Sequence, residues 1–197
     1  MAASSGGNGQ RVALTMPLPV LPDANVLFSA TLRDIFMWLH VHRCIQLRWS
    51  RQIDDEWRRN VIKHNRMTAT QVRCCVDAMR IVVPDWEITG HERHARRFDA
   101  VDPNDRHVAA AAYRWSSMQS ARQPIAVVLV THNMRHFPAK AFASSAVTRS
   151  SPDQVLTRLA THETDHVMTA INAAQQRYRM PAISRTAFVD ALMRNRC

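Results

Sequence analysis

Asp23, Glu56, Asp105 and Asn133 are the oxygen-bearing side chains of this chain whose local patterns put them where a sheet enzyme keeps its chemistry. Asp23 closes an apolar run, Glu56 lies on the apolar-side face of an amphipathic segment, Asp105 opens another such segment, and Asn133 follows a second apolar run. In open α/β sheets, sites form beyond the carboxyl ends of the strands. Carboxylates gathered there repel one another. A hard divalent cation such as Mg²⁺ or Mn²⁺ relieves that repulsion and takes oxygen ligands. Such an ion can activate a water and stabilise charge developing on a phosphodiester.

A second motif competes. Residues 162–166 read His-Glu-Thr-Asp-His, an H-E-x-x-H pattern. On a helix it puts two imidazoles one turn apart for zinc, with Glu163 as general base. A zinc protease needs a third ligand, and after Glu163 the only acids are Asp165, within the motif, and Asp190. The zinc-protease reading is therefore the remote alternative, and a polar helix face the simpler one.

The elements that must position these residues follow from hydrophobic periodicity. Residues 20–28, VLPDANVLF, read as a short apolar strand broken at Pro-Asp-Ala-Asn, with Pro22 unable to donate to a sheet ladder. Leu32, Ile35, Phe36 and Leu39 mark a helix that Ser29 or Thr31 can cap. IQLRW at 45–49 alternates like a strand, and Ser50 caps a second helix carrying Ile53, Glu56, Trp57 and Asn60 on one face. Val72, Val76, Met79 and Val83 mark a third helix that stops at Pro84. Residues 85–103 read as a loop with a short strand near 86–89, and a fourth helix starts at Asp105. IAVVLV at 125–130 is short, unbroken and β-branched, which suits a parallel strand buried on both faces. After Pro138 the pattern is helical, with segments at 153–161, 163–179 and 184–195. The five tryptophans fall mostly at core positions.

Alternating strands and helices predict an α/β fold: a three-layer α/β/α domain with a parallel central sheet and a C-terminal helical appendage. The expected division is a lead-in at 1–17, the α/β domain at 18–142 and a helical tail at 143–197.

Composition narrows the partners. The 197 residues carry 26 basic and 16 acidic side chains, a net charge of +10 that suits RNA or DNA. The basic residues are nearly all Arg and Ala is abundant, so a G/C-rich coding sequence accounts for the same balance. No run of eighteen apolar residues indicates a membrane span, and the start lacks the pattern of a secretory signal. Cys44, Cys74, Cys75 and Cys197 form no C-x-x-C pair, which favours reduced thiols and a cytoplasmic setting.

Four segments together resemble the PIN-domain family. VLPDANVLF resembles its opening D-x-N motif, RWSRQIDDEWRRN its S-x-x-I-x-x-E-x-x-R segment, DPNDRHVAAAA its D-P-x-D-R-H-V-x-A-A-A segment, and LVTHNMRHFP its T-x-N-x-x-D-F-P segment. The order and spacing match over residues 18–142, and SPDQVL…FVDAL resembles the helical tail of one subgroup. The resemblance implies a metal-dependent endoribonuclease of the VapC-like toxin type, with Mg²⁺ or Mn²⁺ held by Asp23, Glu56 and Asp105. Asn25, Thr131 and Asn133 would be polar supports and Asp102 an outer ligand. Arg59 and Arg106 are the candidates for holding the RNA backbone, and His107 for orienting Asp105. A cognate antitoxin and a homodimer are the implied partners. Three departures stand out: His136 occupies the place of the family's fourth acid, residues 113–124 are longer and more polar than the usual link, and Pro22 replaces an aliphatic residue. A PIN-like protein that binds RNA or a partner without cutting is the alternative these departures keep open.

Overall fold

A computed structural model describes residues 16–118, 123–162 and 164–176. Its centre is a four-stranded parallel sheet in the order β2-β1-β3-β4, formed by β1 (Leu18–Pro22), β2 (Ile45–Leu47), β3 (Val127–Val130) and β4 (Val147–Ser150). Helices flank it in the expected three-layer α/β/α arrangement. They are α1 (Ala24–Phe28), α2 (Ala30–Val41), α3 (Arg51–Lys63), α4 (Ala69–Val82), α5 (Arg106–Ser116), α6 (Pro152–His162) and α7 (Thr164–Gln176). The chain steps from β1 outward to β2 on one side and to β3 and β4 on the other. The switch point of the sheet therefore lies between β1 and β3, the place at the strands' carboxyl ends where open α/β sheets bind their ligands.

The strands are short, and the helices bury β3 and the end of β1 most completely. All four residues of β3 are buried, as its unbroken apolar sequence requires. Pro22 ends β1 without loss to the sheet. The Asp23 N–H donates to the Val130 carbonyl on the β3 side at 2.8 Å. Alternation turns the position of Pro22 toward β2, whose pairing with β1 already ends at Leu47. The run 20–28 is thus not one broken strand. Asp23 caps a separate short helix, α1.

Local chemistry fixes most boundaries. Ser29 accepts from the Leu32 N–H and Ser50 from the Ile53 N–H, so each starts its helix. Thr68 and Gln71 form a reciprocal capping box at α4. Two helices end alike. Arg43 after α2 (φ 58°) and Asn65 after α3 (φ 52°) take the left-handed conformation. The next N–H then reaches back, from Cys44 to the Leu39 carbonyl and from Arg66 to the Val61 carbonyl.

Several expectations are corrected. The segment after Pro138 is not helical throughout, since β4 joins the sheet beside β3. The stretch 85–103 contains a 3-10 helix, Glu92–Phe98, and its short strand is a single bridge between Trp49 and Glu87. α5 packs on β3 and β4, and α7 packs on α2. The expected helix at 184–195, Cys197 and residues 1–15 of the lead-in lie outside the described residues. Trp49, Trp57, Trp86 and Trp115 are buried, Trp49 against Trp86 with ring centroids 5.4 Å apart. Among the described residues, no helix is long and apolar enough to cross a membrane.

Candidate metal and nuclease site

Asp23 stands at the N-cap of α1, at the carboxyl end of β1, only 3% exposed. One carboxylate oxygen, Oδ1, accepts from the Ala24 N–H at 2.6 Å. The other, Oδ2, accepts from Asn25 Nδ2 at 2.7 Å and from the Thr131 hydroxyl at 2.8 Å. Thr131 follows β3 directly, so this bond ties the ends of the two central strands together. Thr131 Oγ1 also accepts from the Asn133 N–H at 3.0 Å, and Asn25 Oδ1 accepts from the His132 N–H at 3.4 Å. Asn25 and Thr131 therefore clamp both Asp23 and the turn leading to Asn133.

The Asp23 carboxyl is pushed up from its ordinary 3.8 to about 6. Burial is the largest cause. The Thr131 hydrogen bond opposes it, the negative charges of Asp105 and Glu56 add to it, and the Ala24 N–H opposes it. The Asp105 and Glu56 carboxylates, at the start of α5 and on α3, therefore lie near enough for their charges to act on Asp23.

Asp105 occupies the N-cap position of α5 but makes no side-chain capping bond. Its Oδ2 faces His136 Nδ1 at 2.6 Å instead. The same nitrogen lies 2.7 Å from Asn133 Nδ2. Asp102 is held close by, its N–H donating to the His136 carbonyl at 3.1 Å and its Oδ1 accepting from the Asn104 N–H at 3.0 Å. Ligand atoms of Asp102, Asp105 and His136 all lie within 4.8 Å of one another. This tight group brings Asp102 beside Asp105, while Asp105 and Glu56 act on Asp23 through longer-range charge.

Glu56 projects from α3, its side chain one-third exposed, with Oε2 3.4 Å from His107 Nε2. That nitrogen has no well-directed hydrogen-bond partner. His107 therefore attends Glu56 and not Asp105 as expected, and its Nδ1 lies 2.9 Å from the Asn104 carbonyl. A cavity of about 340 Å³ opens beside it, lined by Gln52, Glu92, Asn104, Arg106 and His107.

The two candidate arginines are placed differently, Arg106 at the cavity beside His107 and Arg59 away from it. Arg106 spends its guanidinium on the Asp99 and Val101 carbonyls and approaches the Asp99 carboxylate at 3.6 Å, fastening the loop before α5. Arg59 is exposed and lines a separate groove between α3 and α4 with Arg58, Ile62 and Arg73. In the H-E-x-x-H segment, His162 ends α6, His166 lies in α7, both are exposed, and Glu163 lies outside the described residues. Neither histidine joins a metal-ligating group among the described residues.

One acid near the site has another task. Asp54 is 1% exposed and accepts from Trp57 Nε1 at 3.0 Å and Arg80 Nη2 at 3.0 Å, pinning α4 to α3. Its spacing of three and four from Trp57 and Arg58 carries that signal on one helix face. The contact between His136 and Asp105 spans 31 positions and has no comparable local signal.

Comparison with known proteins returned no matching family model, no matching curated protein and no matching solved structure.

Proposed function

We propose that this chain is a metal-dependent endoribonuclease with a PIN-like site. The observation carrying the proposal is the gathering of Asp102, Asp105 and His136 ligand atoms within 4.8 Å, with Asp105 and Glu56 near enough to raise the buried Asp23 at the end of β1. The donor set is carboxylate oxygen with one imidazole, which suits Mg²⁺ or Mn²⁺. Among the described residues it contains no thiolate and no paired imidazoles of the kind zinc prefers.

A bound divalent cation supplies charge neutralisation, water activation and stabilisation of the leaving oxygen. The chain's residues do the rest. Asp23, clamped by Asn25 and Thr131, offers a carboxylate whose rotamer is fixed in advance, so little ordering remains when the site fills. Asp105 and Glu56 bring the further negative charge that makes cation binding favourable. The cavity lined by Gln52, Asn104, Arg106 and His107 leaves room for a phosphodiester beside His107. The chain's net charge of +10 favours encounter with RNA. The role as a toxin restrained by an antitoxin, and a homodimeric state, rest on the motif resemblance.

Purified protein with Mn²⁺ is expected to cleave structured RNA, and Asp23→Asn or Asp105→Asn to abolish cleavage. Cleavage surviving both substitutions refutes this site. RNA binding without cleavage by the unmodified protein favours the non-cutting alternative that His136 raises. Growth arrest on overexpression, relieved by the product of an adjacent small gene, supports the toxin role, and its absence counts against it.

A further inference from the structure

We infer that His136 is a metal ligand, so that Asp102, Asp105 and His136 form a mixed oxygen–nitrogen cation position favouring a first-row ion such as Mn²⁺ over Mg²⁺. The inference rests on the nuclease reading and adds to it the identity of the ion. Three features carry it. Three side chains from two separate segments, 102–105 and 136, direct one ligand atom each to a common region within 4.8 Å. Two ligands side by side on one ion at about 2.1 Å stand about 3 Å apart. The 2.6 Å between His136 Nδ1 and Asp105 Oδ2 therefore needs to open by only a few tenths of an ångström.

The second feature is the focus of polar groups on Nδ1. Asp105 Oδ2 lies 2.6 Å from that nitrogen and the Asn133 side-chain amide 2.7 Å from it. With a cation bound, Nδ1 and Oδ2 would both turn lone pairs to it, and the Asn133 amide would present its oxygen to the same region. The third feature is the backbone, which holds the group in place before any ion arrives. The Asp102 N–H is bonded to the His136 carbonyl, and the Asp105 N–H to the Asp102 carbonyl.

Ion choice follows from the nitrogen. Mg²⁺ prefers an all-oxygen shell and keeps its waters, whereas imidazole suits first-row transition ions. The Asp105 charge also acts on Asp23, so an ion here bears on the same set of acids.

The test uses the full-length protein and Mn²⁺ as the probe. Pulsed electron paramagnetic resonance of bound Mn²⁺ is expected to show nitrogen coupling from a coordinated imidazole. The coupling disappears in His136→Ala and persists in His107→Ala. Calorimetric titration with Mn²⁺ and Mg²⁺ is expected to show a preference for Mn²⁺ that falls about tenfold in His136→Asp, which restores an all-oxygen set. The inference is overturned if bound Mn²⁺ shows no nitrogen coupling, or if the coupling survives His136→Ala. Mn²⁺ binding that weakens in Asp105→Asn and Asp23→Asn but lacks nitrogen coupling sinks this inference alone. Binding indifferent to both aspartates sinks the nuclease site with it.

Discussion

Replacing Asp23 by Asn removes a carboxylate that the folded chain holds against its preference, and the consequence for stability depends on pH. The group titrates near 3.8 in an unfolded chain and near 6 in the folded one. Between those values the folded state binds more protons than the unfolded state, so stability falls as pH rises through the window. The difference corresponds to about 3 kcal/mol of stability, present below pH 3.8 and fully lost above pH 6. Asn resembles the protonated acid and escapes the loss. The cost of the substitution itself, a donor set against the Asn25 amide and the Thr131 hydroxyl, is about 1 kcal/mol and independent of pH. Urea unfolding in the presence of a chelator therefore has a defined outcome. Relative to the unmodified chain, Asp23→Asn gains about 2–3 kcal/mol between pH 4 and pH 8. Saturating Mn²⁺ reverses the order at pH 8, because the ion stabilises the ionised carboxylate by mass action. A stability difference flat with pH, or one of opposite slope, refutes the account of Asp23 as a buried acid compressed by Asp105 and Glu56.

Other substitutions separate support from chemistry. Thr131→Val deletes the hydroxyl that favours ionised Asp23, so the acid titrates higher still, stability drops by about 1–2 kcal/mol and Mn²⁺ affinity weakens; calorimetry and denaturation measure both. Asp54→Ala leaves the buried Trp57 N–H without its acceptor and costs about 1–3 kcal/mol by urea unfolding, while cleavage per folded molecule stays near normal. Arg43→Gly relieves a left-handed residue at the end of α2 and is expected to raise stability by about 0.5–1 kcal/mol, with no effect on RNA cleavage.

What the sequence disclosed depended on how local the governing contact was. β3 was readable because both of its faces are buried and every residue is apolar. Helix α3 was readable from the Ser50 cap and the Ile53–Trp57 stripe. Asp23 was readable as a strand-end acid, although the apolar run after it concealed a helix of five residues, too short to show a period. β4 was missed because it is a four-residue edge strand, VTRS, with only Val147 buried, so it lacks both alternation and an apolar run. The site divides along the same line. Asp23, Glu56 and Asp105 could be named from motif spacing. The turn of Asp105 toward His136, the entry of Asp102 into the tight group and the pairing of His107 with Glu56 depend on tertiary placement that no local pattern encodes.

The most direct test of the central claim is anomalous scattering from crystals soaked in Mn²⁺. The account predicts a peak at the carboxyl ends of β1 and β3, within about 2.2 Å of an Asp105 oxygen and ringed by other acids of the set. No peak there at saturating Mn²⁺, or a peak held instead by His162 and His166, contradicts it.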